Sequence, residues 1–375
     1  MYRQPQRIEY LDSIRGLAAL AVLLGHSFIF QWPPNVSRFI NLPIVNIGFN
    51  GKEAVAMFFV LSGFVLSRPY FASSPMPARK MFVPTFYLRR FTRIWLPWLA
   101  AFGLSALAQY FLFHPWPTMP PTNDWFGWFW HVPPTFMSFL RQCLFIEHDA
   151  TVQLLNQDWS LGVELKGSLL MPVFIFLSGG WRLAGLLATA TALFWVLPNG
   201  GAYYSLFVMG MLLARYGDSV VERLKSRPLA IKLGLLLAGA SLYGGLQYGN
   251  RFHPNHVKCF WLITGVGCIL ILLATMSSRR IQLVLQLQPI TFLGRISYSV
   301  YLLQFIVILC VLPAWVHLLN NIGMQRTCWL LPLTLAASVG VTVGLSAATY
   351  RLIEMPCIEL GHWSSKTLQA RLLKK

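Results

Sequence analysis

KCFWLITGVGCILILLAT, residues 258–275, carries one charge, Lys258 at its first position, and none in the seventeen positions that follow. A run of that length crosses, or nearly crosses, the hydrocarbon core of a bilayer as a tilted helix. Nine comparable runs recur along the 375-residue chain, at 14–32, 54–71, 92–113, 158–178, 181–197, 202–215, 233–248, 296–316 and 329–351. Helices are expected because a helix satisfies its own backbone hydrogen bonds in lipid, and the ten-residue alternation of a membrane barrel is absent. The reading is an all-α integral membrane protein, a bundle of about ten transmembrane helices. One transmembrane domain spans 1–356, and a short basic tail, 357–375, follows it.

Composition agrees. Hydrophobic residues make up 56% of the chain and charged residues 11%, which no soluble globular composition matches. The formal charge of +18 suggests nucleic acid only until its placement is read. Lys and Arg gather between apolar runs and form no stripe interleaved with stacking aromatics, so no nucleic-acid partner is expected. With the N-terminus inside, alternating loops hold about 23 basic residues on the inner side and about 6 on the outer, the asymmetry that orients membrane proteins. Arg68, Arg89, Arg90, Arg93, Arg215, Arg223, Lys225 and the tail through Lys375 all fall inside. Both termini are therefore expected in the cytoplasm, and the protein in the plasma (inner) membrane among its lipids. The segment 114–157 falls outside, as a cap along the outer interface, with Trp116, Trp125, Trp128 and Trp130 read mainly as an interfacial belt. Six scattered cysteines form no C-x-x-C pair, so neither disulfides nor zinc is expected.

Ionisable groups inside spans are costly, and each is a site hypothesis by default. Arg15 and His26 in IRGLAALAVLLGH are eleven positions apart, which returns to within about 20° of the same helix face. An anion-binding end near the cytoplasmic boundary thus shares a face with an imidazole past mid-membrane; a structural histidine is the competing reading. Arg90 and Arg93 in YLRRFTRIWLP fall at i and i+3, where two planar forks of donors suit phosphate, although basic clusters at helix ends also serve topology. DWSLGVELKGSLL places Glu164 and Lys166 inside a span, with Trp159 at its rim. Glu164 sits at a depth His26 could share, where a carboxylate orients an imidazole; an intramembrane ion pair is the alternative. Tyr298 and Tyr301 lie three apart, and Glu354 stands beside Arg351 at the inner end of the last span; on spacing these read as interfacial tyrosines and a helix-end salt bridge.

Taken together these stretches resemble the membrane acyltransferase family known as acyltransferase-3, in its stand-alone transmembrane form and over nearly the whole chain. LDSIRG followed by R-x10-H through Arg15 and His26 is similar to the family hallmark. GKEAVAMFFVLSGFVLS with Ser62, Arg90-Phe-Thr-Arg93, WSLGVE from Trp159 to Glu164, ISYSVYLL and LIEMP resemble its later motifs. The resemblance implies an acyl-CoA co-substrate, acetyl-CoA above all, approached from the cytoplasm, and no metal. It implies an acceptor hydroxyl on a polysaccharide, a glycolipid or another carbohydrate. By position it assigns His26 as base or transient acyl carrier, with Glu164 assisting. Arg15, Arg90 and Arg93 would handle the donor, and Ser62, Trp159, Tyr298, Tyr301 and Glu354 would support the site. The chain departs from the family at Gln304, where a His is frequent, and at Leu165-Lys166, where the usual continuation after the span glutamate differs. A proton-coupled transporter of a small solute or lipid-linked sugar is the rival from another class, since the same buried His, Glu and Lys suit a relay; no inverted repeat supports it.

Overall fold

The structure is a computed structural model that describes residues 8–27, 43–71, 79–113, 129–130, 132–146, 152–178, 182–196, 200–244, 257–324 and 329–373. Its regular elements are all helical: α1 Glu9–His26, α2 Gly51–Phe71, α3 Arg79–Phe111, α4 Phe136–Cys143, α5 Asp158–Leu177, α6 Arg182–Val196, α7 Gly200–Lys225 and α8 Leu229–Tyr243. After these come α9 Val257–Ser277, α10 Arg279–Leu285, α11 Gln288–Ile306, α12 Leu312–Asn321, α13 Leu330–Thr349 and α14 Met355–Leu373. Single π-helical segments, Val307–Val311 and Tyr350–Glu354, join α11 to α12 and α13 to α14.

Among the described residues, six stretches are long and apolar enough to cross a membrane: Gly51–Phe71, Val83–Phe111, Asp158–Leu177, Lys258–Ser277, Gln288–Asn321 and Leu330–Leu372. The other four expected spans fall on α1, α6, α7 and α8. α6 and α8 are short, at 15 residues each. α1 carries Glu9, Asp12 and Arg15 in its 18 residues, and the C-terminal half of α7 is charged from Arg215 onward. Residues 28–32 of the first expected span, with Trp116, Trp125 and Trp128, lie outside the described residues.

The chain divides into two compact units. One comprises Met1–Ala18, Leu42–Pro84 and Val163–Arg295; the other Ala19–Asn41, Thr85–Gly162 and Ile296–Lys375. The first unit is organised by α2 and α7, which approach until backbone meets backbone. A Cβ at Gly63 would collide with the Phe207 carbonyl, and one at Gly210 with the Val60 carbonyl. Small residues allow this closeness, on which helix association in lipid depends because burial there gains little from the hydrophobic effect. Phe59 and Phe207 stack with ring centroids 5.3 Å apart beside the crossing. α9 packs on α2, α7 and α8.

In the second unit α13 buries a hydroxyl row, Thr334, Ser338, Thr342 and Ser346, at four-residue spacing on one face. Ser338 Oγ lies 2.7 Å from Ser27 Oγ. Within the segment 114–157, the described residues include the short helix α4. α4 buries its polar Ser138 and Gln142 and exposes Phe136, Met137, Phe139 and Leu140, the inverted pattern suited to an apolar surrounding. Gln142 ties it down, its Nε2 donating to the Val152 carbonyl at 3.0 Å and its Oε1 accepting from the Leu154 N–H at 2.9 Å. Trp130 is no belt residue: it is buried with Phe129 and Phe305 and donates through Nε1 to the Leu154 carbonyl. The last helices differ from the expected span and tail, because α13, the π segment and α14 run without interruption from Leu330 to Leu373. At 1.5 Å per residue that is about 65 Å, roughly twice a hydrocarbon core, so its far part stands clear of the apolar layer.

Gly210→Leu should lower the unfolding temperature of the detergent-solubilised protein strongly or abolish folded expression, since the added atoms meet rigid backbone. Gly340→Ala, where a Cβ meets nothing within 4 Å, should leave the unfolding temperature unchanged.

Candidate active site

α1 runs unbroken through both Arg15 and His26, as the spacing requires. In the second unit, His26 Nδ1 faces Gln304 Oε1 at 3.2 Å, and the Phe305 ring lies 4.8 Å from the imidazole centroid. Phe129 in turn sits against Phe305, at 5.7 Å between centroids. Gln304 is fully buried. Its Nε2 donates to the Tyr301 carbonyl at 3.1 Å, and a carbonyl can only accept, so the amide has one orientation. The oxygen end must face His26. In the neutral imidazole Nδ1 then carries the proton and donates to Gln304, and Nε2 carries the lone pair.

Gln157 fastens the helix that holds Gln304. Its Nε2 donates to the Leu302 carbonyl at 2.7 Å and to the Tyr301 carbonyl at 3.1 Å, so two side-chain amides converge on Tyr301. The Tyr301 hydroxyl pairs with Ser160 Oγ, and the Tyr298 hydroxyl donates to the Ile94 carbonyl at 2.7 Å. The two tyrosines are thus cross-links between helices, not interfacial side chains. Trp98 donates to the Asp158 carboxylate at 2.7 Å, both residues buried. The π segment at Val307–Val311 begins three residues after Gln304, a feature that often accompanies functional sites.

Glu354 closes the second π segment. It is buried and accepts from Ser299 Oγ at 2.7 Å, whereas its expected neighbour Arg351 is exposed. Ser299 and Glu354 line a small cleft with Pro97, Ala101, Leu104 and Leu302. Arg90 and Arg93, half-buried, lie well inside a helix that begins at Arg79.

In the first unit, Arg15 forms an ion pair with Asp12 one turn earlier, at 2.9 Å. Glu164 accepts from Ser62 Oγ at 3.2 Å, which joins the WSLGVE and GKEAV stretches through one hydrogen bond. Lys166 is exposed on α5 and Trp159 is 41% exposed. His26 with Gln304 and Glu164 with Ser62 belong to different units, each bonded within its own. Among the described residues, no three His, Cys, Asp or Glu side chains gather as a metal site requires.

A chain whose described elements are all helical, with six apolar stretches of spanning length, a half-buried histidine of fixed tautomer and a buried carboxylate, is a multi-pass membrane protein. It belongs to the acyltransferase-3 family, whose model, described as an acyltransferase domain, matches residues 8–351. The chain is similar to acyltransferase MdmB of Streptomyces mycarofaciens, at 26% identity over 337 residues covering 81% of this chain and 80% of that one. It is similar also to nodulation protein 10 of Rhizobium leguminosarum bv. viciae, at 25% identity over 382 residues covering 93% of each. No solved structure matches it. The chain is therefore an acyltransferase, an enzyme that takes an acyl group from a donor.

Gln157, Asp158, Trp98 and Ser299 escape a reading by spacing, because each works through a partner remote in sequence. Gln157 and Asp158 carried one available signal, two polar residues at the start of an apolar span. Gln157→Leu should destabilise the protein by about 1 to 3 kcal/mol, the loss of two buried hydrogen bonds at about 0.5 to 1.5 kcal/mol each, seen as a lower unfolding temperature in detergent. Tyr301→Phe, which removes one hydroxyl, should cost less.

Proposed function

We propose that the enzyme transfers an acyl group, acetyl above all, from acyl-CoA to a hydroxyl of a carbohydrate or glycoconjugate. The reading places it in the inner membrane as a ten-helix protein with both termini in the cytoplasm. The observation that carries it is the His26–Gln304–Tyr301 chain of hydrogen bonds, which gives a half-buried imidazole a lone pair on Nε2.

A thioester is already activated, so the protein has to deprotonate the acceptor, align it and stabilise an oxyanion. His26 Nε2 takes the proton of the acceptor hydroxyl as its oxygen bonds to the thioester carbonyl carbon. The carbon–sulfur bond then breaks, and the departing CoA thiolate takes the proton back from the imidazolium. Gln304 Oε1 accepts from Nδ1–H throughout, so the ring keeps its orientation as charge develops. Glu164, which the motif resemblance counts among the site residues, is held by Ser62 within the first unit. Arg15, Arg90 and Arg93 receive the anionic donor on the cytoplasmic side. Trp159, Tyr298, Tyr301 and Glu354 hold the surrounding helices.

Membranes containing the protein should move label from radiolabelled acetyl-CoA into a mixture of envelope glycans, and His26→Ala should abolish that transfer. Equal incorporation by the variant would remove His26 from the mechanism. Solute movement in proteoliposomes without acyl-CoA would instead favour a transporter. Gln304→Leu should lower kcat at least about tenfold at unchanged KM for acyl-CoA, part of the 10²–10⁴ that a positioned base contributes. Gln304→His should retain more activity, because one ring nitrogen can accept from His26 while the other donates to Tyr301.

A further inference from the structure

Ser27 follows His26 directly, and its hydroxyl donates to the Leu23 carbonyl at 2.7 Å. A hydroxyl has one hydrogen, so in the 2.7 Å contact between Ser27 Oγ and Ser338 Oγ the donor is Ser338. Both side chains are fully buried. Ser338 has thereby spent its hydrogen on α1 and keeps only the capacity to accept.

Ser338 belongs to the buried row of α13, Thr334, Ser338, Thr342 and Ser346. Thr334 is satisfied within its own helix, donating to the Leu330 carbonyl at 2.7 Å. Thr342 and Ser346 are not. Neither Thr342 Oγ1 nor Ser346 Oγ has a hydrogen-bond partner among the described residues, although both side chains are wholly withdrawn from the surface. The row ends beside polar surroundings: Thr349, three residues beyond Ser346, donates to the Ser346 carbonyl at 3.2 Å and lines the small cleft that holds Ser299 and Glu354.

An unsatisfied buried hydroxyl is unfavourable, and two in succession on one helix face call for a shared remedy. Residues four apart on a helix have Cβ atoms about 5–6 Å apart. That is too far for hydroxyls to bond directly, and about twice an O–H···O length of roughly 2.7–2.8 Å, so one oxygen between each pair reaches both. Water suits the position because it donates and accepts, and because buried water collects where protein polar groups are otherwise unsatisfied.

We propose that Ser338, Thr342 and Ser346 bind a file of two water molecules, and that this file, with Ser27, positions the last turn of α1 and so His26. Ser346 donates to the first water, which donates to Thr342. Thr342 donates to the second water, which donates to Ser338. Ser338 donates to Ser27, and the Leu23 carbonyl closes the file three residues before His26. All the bonds run in one sense, the arrangement in which each strengthens the next. The water site is independent of the acyl-transfer reading, whereas the positioning of His26 for transfer rests on it.

The test crosses two substitutions at Thr342 in the full-length protein, one that keeps the shape and one that keeps the hydroxyl. Thr342→Val should lower kcat about tenfold at unchanged KM for acetyl-CoA, since a base that drifts loses its alignment, and should lower the unfolding temperature in detergent. Thr342→Ser should retain the wild-type kcat. A side chain that only packs gives the reverse order, Val harmless and Ser costly, and that order would overturn the proposal. Thr334→Val, in the same row but satisfied by its own helix, should leave kcat unchanged. An electron cryomicroscopy map that shows ordered water should place one oxygen between Ser338 and Thr342 and another between Thr342 and Ser346. A map in which both hydroxyls turn to the carbonyls four residues earlier, with no density between them, would overturn the water site. Waters in place while Thr342→Val keeps the wild-type kcat would overturn the positioning of His26. If the map shows the file and the wild type transfers no acyl group to any acceptor, the water site stands and the functional reading fails.

Discussion

A polar group withdrawn from water must find a partner inside the protein, and in a chain this apolar the demand falls on few residues. The second unit meets it by pairing side chains with backbone as much as with one another. Gln157 and Gln304 both donate to the Tyr301 carbonyl, Tyr298 donates to the Ile94 carbonyl, and Gln142 accepts from one backbone amide while donating to a carbonyl. Such bonds also restrict how a helix turns about its own axis. Orientation of the imidazole is thus a by-product of satisfying amides, since the carbonyl that holds Gln304 Nε2 leaves its oxygen for His26.

The apolar runs announced the helices, because the need to satisfy backbone groups in lipid leaves a single solution for a spanning segment. Their ends were less legible. α3 begins at Arg79, well before the apolar run, because Lys and Arg are good helix formers, and it runs on through Pro84. Likewise α14 prolongs α13 through a π segment, although Pro356 suggested a stop. A proline at the second position of a helical segment needs no donor in the preceding turn once the π segment has already shifted the hydrogen-bond register. Trp130 shows the limit of composition: a tryptophan in a loop rich in tryptophan reads as interfacial, and only the carbonyl of Leu154 and the rings of Phe129 and Phe305 make it core.

The candidate site was legible where its logic is periodic. Eleven residues bring Arg15 and His26 to one face, and the motif stretches contain Glu164, Ser62 and Glu354. What spacing does not carry is pairing between remote segments: Ser62 with Glu164, Ser299 with Glu354, and His26 with Gln304 lie 102, 55 and 278 positions apart. Gln304 stood out in the sequence as a departure from a frequent histidine. In the structure it is a neutral acceptor, and this has a chemical consequence. A second histidine in its place would exchange protons with the first and titrate with it, whereas an amide holds its acceptor role at every pH.

The same requirement for partners separates the two kinds of arginine in this chain. Arg15 and Arg68 each lie within 3.0 Å of an aspartate, so the protein supplies their counter-charge from its own sequence. Arg89 and Arg93 face a helix that brings further positive charge against them, across a contact too tight to admit a side chain at Gly361. With net charge +18 and 12 acidic residues in the whole chain, acids are too scarce to answer every cation.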